Sequence, residues 1–260
     1  MERNTVSDKG MIAVFDSGVG GISVLASVRR RLPEENFLFF ADSENAPYGD
    51  KPTDEIRNLT LRNCRMLTER FPVKAILIAC NTATSAAAKD LRSELQIPVL
   101  GVEPALKPAV EAGAGPILVL ATQLTIREEK FRTLMGNLQN DLMIIPSPCP
   151  GLMEIVESNP ESSEAETYLR RVLAECPERP KAIVLGCTHY VFLKPLLRRI
   201  APDISLYDGN EGVSRHLKHV LTQRNALGGR GELQWLNSLS DSAYTEKCKQ
   251  LYAYAQQKEL

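Results

Sequence analysis

The chain has 260 residues, 43% of them hydrophobic and 24% charged, with a formal net charge of -1. That length suits one large domain or two modest ones, each with its own core, and the near-neutral balance excludes a global field that would recruit nucleic acid or an anionic membrane. Met1 to Gly10 is polar, without the apolar core of a signal peptide, and no apolar run approaches the roughly 20 residues of a membrane span. Six cysteines with no CxxC pair read as reduced thiols, not as a disulfide scaffold. The expected setting is the cytoplasm, with no membrane and no nucleic-acid partner.

Ile12-Ala-Val-Phe15 is a buried-strand signal running into Asp16-Ser17-Gly18-Val19-Gly20-Gly21 and a helix over 22–32. Such a glycine-rich turn exposes backbone N–H groups and makes a seat for an anion. Ser23 stands where a dinucleotide fingerprint needs its third glycine, there is no Walker lysine, and Asp16 would repel a phosphate. A small carboxylate, held by N–H groups and the Ser17 hydroxyl, fits better than a nucleotide, with a plain tight turn as the alternative. The Arg29-Arg30-Arg31 cluster, like Arg198-Arg199 later, reads as a solvated helix face. A strand over 36–40 opens onto a loop, 41–51, containing Pro47-Tyr48-Gly49, where the tyrosine offers an aromatic wall and a hydroxyl. A long helix over 53–71 puts Ile56, Leu59, Cys64 and Leu67 near its buried face.

Lys74-Ala-Ile-Leu-Ile-Ala-Cys80-Asn81-Thr82 is next: an apolar run that fits a buried strand and delivers a cysteine to its carboxyl end. A helix over 83–95 and a strand at 97–100 follow, and Gly101-Val-Glu103-Pro104 leads into a second half. There Ile117-Leu-Val-Leu120-Ala121-Thr122 reads as a strand, 126–137 as a helix, 142–145 as a strand, and Pro146-Ser-Pro-Cys149-Pro-Gly151 as a rigid irregular loop with a structural cysteine. After a helix over 164–174, with Cys176 at its end, comes Lys181-Ala-Ile-Val-Leu-Gly-Cys187-Thr188-His189. A helix over 193–200, a strand over 204–207, the Asp208-Gly209 turn and a helix over 213–221 complete this half. The tail holds the lone Trp235 and an amphipathic helix over 242–257 with Cys248 in its apolar stripe.

The cysteine strand thus occurs twice, and the spacing from Ile12 to Ile117 nearly equals that from Lys74 to Lys181. Two matched pairs at one offset point to an internal duplication. Alternating strands and helices give an α/β architecture with parallel sheets. Two such halves, related by a pseudo-twofold, are expected to share a ligand crevice at the carboxyl ends of their strands.

A cysteine between a buried strand and a helix sits in the field of the helix N-terminus, which favours the thiolate. Asn81-Thr82-Ala83-Thr84 supplies capping groups after Cys80, and Thr188 and His189 follow Cys187. A single free cysteine is usually a core residue, but two at equivalent positions imply opposed thiols across one pocket. Two opposed groups of matched acidity suit inversion of a carbon centre: a thiolate removes a proton from one face and a thiol delivers one to the other. Asn81, Thr82, Ser17, Thr122 and Thr188 could stabilise the charge that develops. The helpers differ, because Asp16 corresponds to Ala121 and His189 to Thr82. They could tune each base separately or bind the ammonium and a carboxylate of an amino acid.

Phe15-Asp16-Ser17-Gly18-Val-Gly20-Gly21, Pro47-Tyr48-Gly49, Cys80-Asn81-Thr82-Ala83-Thr84 and Gly186-Cys187-Thr188-His189-Tyr190 together resemble the glutamate racemases. The resemblance runs from Ile12 to the Asp208-Gly209 turn. It implies two flavodoxin-like α/β domains, the first formed by residues 1–101 plus 208–260 and the second by 102–207. It also implies a cofactor-independent isomerase with no metal, which supplies D-glutamate for peptidoglycan. Glutamate is then the small-molecule substrate, and a homodimer is compatible with the family. Cys80 and Cys187 become the proton-transfer pair, assisted by Asp16, His189 and Glu157. Asp16, Ser17, Tyr48, Gly49, Asn81, Thr82, Thr122, Thr188 and His189 surround the substrate. Glu128, Phe131 and Val191 depart from the family pattern. A racemase of aspartate or another acidic amino acid is the neighbouring reading. From other classes come a hydrolase using Cys187 with His189, for which the sequence offers no evident orienting third group, and a binding module retaining the pocket.

Overall fold

The structure, a computed structural model, describes residues 9–113, 115–138 and 142–260. The chain forms two compact units, one comprising the chain up to Val102 together with Asn210–Gln257, the other Glu103–Gly209 with Lys258–Leu260. In chain order the first unit begins with β1 (Met11–Asp16), α1 (Ile22–Arg31), β2 (Asn36–Ala41), α2 (Thr53–Arg70), β3 (Val73–Ile78), α3 (Asn81–Glu94) and β4 (Val99–Gly101). The second contains α4 (Leu106–Glu111), β5 (Ile117–Ala121), α5 (Gln123–Arg127), α6 (Glu129–Leu138), β6 (Ile144–Pro148), α7 (Leu152–Ser158), α8 (Ser163–Ala174), β7 (Ala182–Leu185), α9 (Lys194–Ile200) and β8 (Ser205–Asp208). The chain then returns to the first unit with α10 (Asn210–Gln223), β9 (Leu233–Asn237) and α11 (Ser242–Gln257).

Both sheets are wholly parallel, as the alternation of elements predicts. Their strand orders are β4-β3-β1-β2-β9 and β8-β7-β5-β6. The second order is the first with β9 removed, when the cysteine strands β3 and β7 and the leading strands β1 and β5 are set in correspondence. The duplication is therefore topological as well as sequential. β1, β2, β5 and β7 are buried along their whole length, which is why they read as continuous apolar runs and not as alternating ones.

Several elements differ from the sequence expectation. The helix expected over 126–137 is broken at Glu128, whose backbone is extended, into α5 and α6. The break lets Phe131 enter the cluster of Ile117, Val119, Ala121 and Val184, with Leu134 and Leu138 packed on its margin. The strand expected at 142–145 lies at Ile144–Pro148 and takes in two prolines of the supposed irregular loop. β6 is an edge strand paired only with β5, so a missing N–H need not break a central ladder. The tail forms an unanticipated strand, β9, in parallel register with β2 (Phe39 beside Trp235). The lone tryptophan joins Phe39 to Tyr252 of α11 through edge-on ring contacts at 5.4 and 5.6 Å, each worth about 0.5–1.5 kcal/mol beyond simple burial.

In the arginine cluster of α1, Arg30 is exposed as expected, but its two neighbours are engaged. Arg29 donates to the Tyr252 hydroxyl (3.1 Å) and the Gly231 carbonyl (2.6 Å), with its guanidinium over the Phe37 and Tyr252 rings, while Arg31 pairs with Glu211. Arg198 and Arg199 are exposed as expected. Among the described residues no helix is long and apolar enough to cross a membrane.

The returning segment is held by hydrogen bonds to a buried ion pair, Lys74 with Glu35. Lys74 Nζ also donates to the carbonyls of Ala226 and Gly228, both at 2.9 Å. Glu35 Oε1 accepts the Gly228 N–H at 2.7 Å. The repeat-equivalent Lys181 is exposed. Lys74→Ala is expected to destabilise the protein by about 3–5 kcal/mol, because it strands the Glu35 charge in the interior. Lys181→Ala should stay within about 0.5 kcal/mol of wild type. Urea unfolding of the two variants checks the contrast, and equal losses would contradict it.

Candidate active site

In the first unit, β1 and β3 are neighbours, with Phe15 beside Ile78. The ladder continues one residue past β3, where the Ala79 N–H donates to the Phe15 carbonyl at 2.7 Å. This bond fixes the residue before Cys80. Cys80, 7% exposed, is the N-cap of α3, and its own sulfur caps the helix by accepting the Ala83 N–H at 3.4 Å. The side chains expected to cap are engaged differently: the Thr84 hydroxyl donates to the Ile78 carbonyl at 3.2 Å. A second donor reaches the thiol from the first strand's turn, the Ser17 hydroxyl at 3.4 Å. Asp16 is wholly buried and its Oδ2 accepts the Gly18 N–H at 2.9 Å.

The glycine-rich turn, expected as an anion seat, therefore directs several donors inward. Gly18 N–H serves Asp16, the Ile22 and Ser23 N–H groups meet the Val19 and Gly20 carbonyls, and the Ser17 hydroxyl serves Cys80. Gly21 is required by close approach, because a Cβ there would lie 2.7 Å from that of Asp16 and 2.8 Å from that of Ala79. Asn81 keeps a buried side-chain oxygen, Oδ1, without a hydrogen-bond partner among the described residues, and Thr82 is buried beside it in sequence. Tyr48 is 1% exposed and its hydroxyl donates to Asp42 Oδ2 at 2.5 Å. The hydroxyl is thus turned into the protein, and Gly49 is the partly exposed residue of that turn. Asp42 was not singled out by the sequence, although an acid directly after a buried strand, as at Asp16, is the signal that marks it.

In the second unit the equivalent bond recurs: the Gly186 N–H donates to the Leu120 carbonyl at 2.7 Å. Glycine precedes this thiol because a Cβ at Gly186 would sit 3.0 Å from that of Ala121. Cys187, also 7% exposed, opens a 3-10 turn, Thr188–Leu193, with no helix-capping bond to its sulfur. An extended helix N-terminus does not follow it directly, unlike Cys80. Its polar neighbour is His189, whose Nδ1 lies 3.8 Å from the sulfur. His189 Nε2 lies 3.0 Å from Glu157 Oε1 on α7. Glu157, which the family resemblance implied as an assisting residue, is thus the group that orients the histidine, brought to it by α7. Thr188 is buried. Thr122 caps α5, accepting the Thr125 N–H at 3.2 Å and sharing a 2.9 Å hydroxyl contact with Thr125.

Burial opposes charging of His189, but its hydrogen bonds to Cys187 and Glu157 and their charges outweigh that, holding the imidazole well above its ordinary value of 6.5. Burial pushes Cys64 and Cys149 up to about 12, and Cys149 donates to the Ser147 carbonyl at 3.4 Å. Among the described residues no group of three or more His, Cys, Asp or Glu side chains is disposed to hold a metal ion.

His189 is expected to remain an imidazolium through neutral pH. A raised folded-state pKa adds stability that is fully present below 6.5 and fades as pH climbs through the folded value. His189→Asn should therefore lose most stability, relative to wild type, in mildly acidic solution. Titration by NMR should find the His189 ring charged at pH values where a free imidazole is neutral, and Glu157→Gln should lower its midpoint. A midpoint in the ordinary histidine range would contradict this electrostatic picture.

Residues 23–214 match the model of the Asp/Glu/Hydantoin racemase family. A glutamate racemase of Clostridium acetobutylicum is 45% identical over 237 residues, covering 88% of this chain and 92% of its own. Among solved structures, glutamate racemase from Thermus thermophilus in complex with beta-chloro-D-alanine aligns with a TM-score of 0.80 at 35% identity, covering 94% of each chain. The Francisella tularensis glutamate racemase, in complex with D-glutamate, aligns with a TM-score of 0.78 at 25% identity, covering 94% of this chain and 95% of that one. With two parallel α/β sheets that each present a cysteine beyond the strand next to the leading one, the chain belongs to the Asp/Glu/Hydantoin racemase family.

Proposed function

We propose that the protein is a glutamate racemase, interconverting L- and D-glutamate by proton transfer between two cysteines and the α-carbon, without a cofactor. The observation that carries this reading is the recurrence of one device in two sheets. Strands β3 and β7 occupy equivalent places, and each is extended by one 2.7 Å backbone bond to the leading strand before its thiol. The high identity to glutamate racemases favours glutamate over aspartate as substrate. Rates on the two acids, compared directly, decide between them.

In one direction a Cys80 or Cys187 thiolate takes the α-proton, becoming a thiol and leaving a carbanion. The other cysteine, as a thiol, returns a proton to the opposite face and becomes a thiolate. The reverse direction exchanges their roles. Preorganised donors stabilise the developing charge, and we assign this to Ser17, Asn81, Thr82, Thr122 and Thr188, with Tyr48 and Gly49 shaping the substrate wall. Asp16 assists in the first unit, and His189 with Glu157 in the second. The product serves peptidoglycan synthesis. Six free thiols suit the reducing cytoplasm, and a homodimer is the assembly we expect.

The Cys187–His189–Glu157 chain also has the composition of a nucleophile, base and orienting acid, so an acyl-transfer reading is specific enough to test. It leaves Cys80 idle, and a trapped acyl-enzyme seen by mass spectrometry would support it. Under our assignment Cys80→Ala and Cys187→Ala each lower racemisation by about 10²–10⁴-fold or more, in circular dichroism assays started from either enantiomer. Near-normal interconversion by either variant would refute the two-thiol assignment.

A further inference from the structure

Asp42 lies one residue past β2, at the same edge of the first sheet as Asp16 and Cys80. It shares with Asp16 the distinction of a fully buried carboxylate, and its N–H donates to the Asp16 carbonyl at 2.9 Å. Three side-chain donors converge on it. Tyr48 Oη and Asn63 Nδ2 donate to Oδ2 at 2.5 and 2.8 Å, and Asn45 Nδ2 donates to Oδ1 at 2.9 Å. Those donors come from the loop after β2 and from α2, so one carboxylate ties that loop to both the sheet edge and a helix. A buried acid is costly unless its acceptors are filled, and a plain filler at this place would be apolar.

Tyr48 is held equally firmly. Its ring packs 6.4 Å from that of Phe15, and the turn it begins, Tyr48–Asp50, packs on α3, the helix that Cys80 caps. Burial, reinforced by the Asp42 bond and the Asp42 and Cys80 charges, raises the phenol far above its ordinary value, so it stays a donor.

We infer that Asp42 is a positioning residue for glutamate: it fixes Tyr48, and through it Gly49, as a preset wall at the Cys80 end of the sheet. The inference rests on the glutamate racemase reading and adds a residue that never touches substrate. Removing the anchor leaves the thiols and their donors in place, so it should weaken binding more than it slows proton transfer.

The test compares Asp42→Ala, Asp42→Asn, Tyr48→Phe and the Asp42→Ala/Tyr48→Phe double variant in full-length protein, with thermal melts to establish folding. Asp42→Ala and Tyr48→Phe should each raise KM for both enantiomers by about tenfold, with kcat within about threefold, and the double variant should be no worse than Asp42→Ala. Asp42→Asn should recover KM to within about threefold, since its amide oxygen can accept both bonds now made to Oδ2 and the Asn45 amide can turn to meet it. Unchanged KM in a folded Asp42→Ala variant, independent and multiplying effects, or no recovery in Asp42→Asn would each overturn the inference. If Asp42→Ala does not fold, Tyr48→Phe carries the test, and a wild-type KM there overturns it. A wild-type protein that fails to interconvert the enantiomers removes the functional reading and this inference together. An active wild type with unaltered KM in the variants removes the inference alone.

Discussion

Pairing of each cysteine strand with the leading strand of its own sheet is the constraint on which the rest depends. A central parallel strand buried on both faces cannot offer polar atoms along its length, so its chemistry is confined to the carboxyl end. There the Ala79 and Gly186 N–H groups make the same 2.7 Å bond to the leading strand's carbonyl, and each thiol follows directly. Sequence differences between the copies adjust to that bond. Alanine is tolerated at position 79, whereas Gly186 is closed in by Ala121 and the Leu120 carbonyl.

With the thiols placed alike, their surroundings differ in kind. Cys80 receives a hydroxyl and a backbone amide, both neutral donors, and heads a helix of 14 residues. Cys187 heads only a 3-10 turn, and the positive charge near it resides on His189, which Glu157 orients and which its bonds to Cys187 and Glu157 favour in the charged form. One half thus uses peptide and hydroxyl dipoles where the other uses an ion. Fixed dipoles carry no titratable charge of their own, whereas the imidazolium loses its charge once pH rises through its elevated pKa.

Most of the fold was legible because buried parallel strands leave uninterrupted apolar runs, and the repeat revealed which of them correspond. What escaped had physical reasons. β9 is short, with exposed positions alternating with partly buried ones, so it lacks the signature of the central strands, and β6 carries prolines that only an edge position permits. The break at Glu128 serves packing of Phe131, a tertiary demand with no local signal. At the site, strand-end residues such as Asp16, Cys80 and Cys187 could be read from spacing. The partners that come from elsewhere could not: Glu157, implied only by the family resemblance, reaches His189 from a helix that periodicity did not suggest, and Asp42 gathers Tyr48 and Asn63 across sequence distance. The Tyr48 hydroxyl, read as a group facing ligand, turned inward for the same reason.

The central claim is that two distinct thiols serve the two faces of one α-carbon. Incubation of the wild-type protein with L-glutamate in heavy water, with no added cofactor, measures this most directly when the α-position of each enantiomer is followed from the first turnovers. Two bases predict that the D-glutamate formed carries solvent deuterium at the α-carbon from the outset, while the remaining L-glutamate initially keeps its proton. D-glutamate that retains the substrate's own α-proton would show one group serving both faces, and would contradict the account.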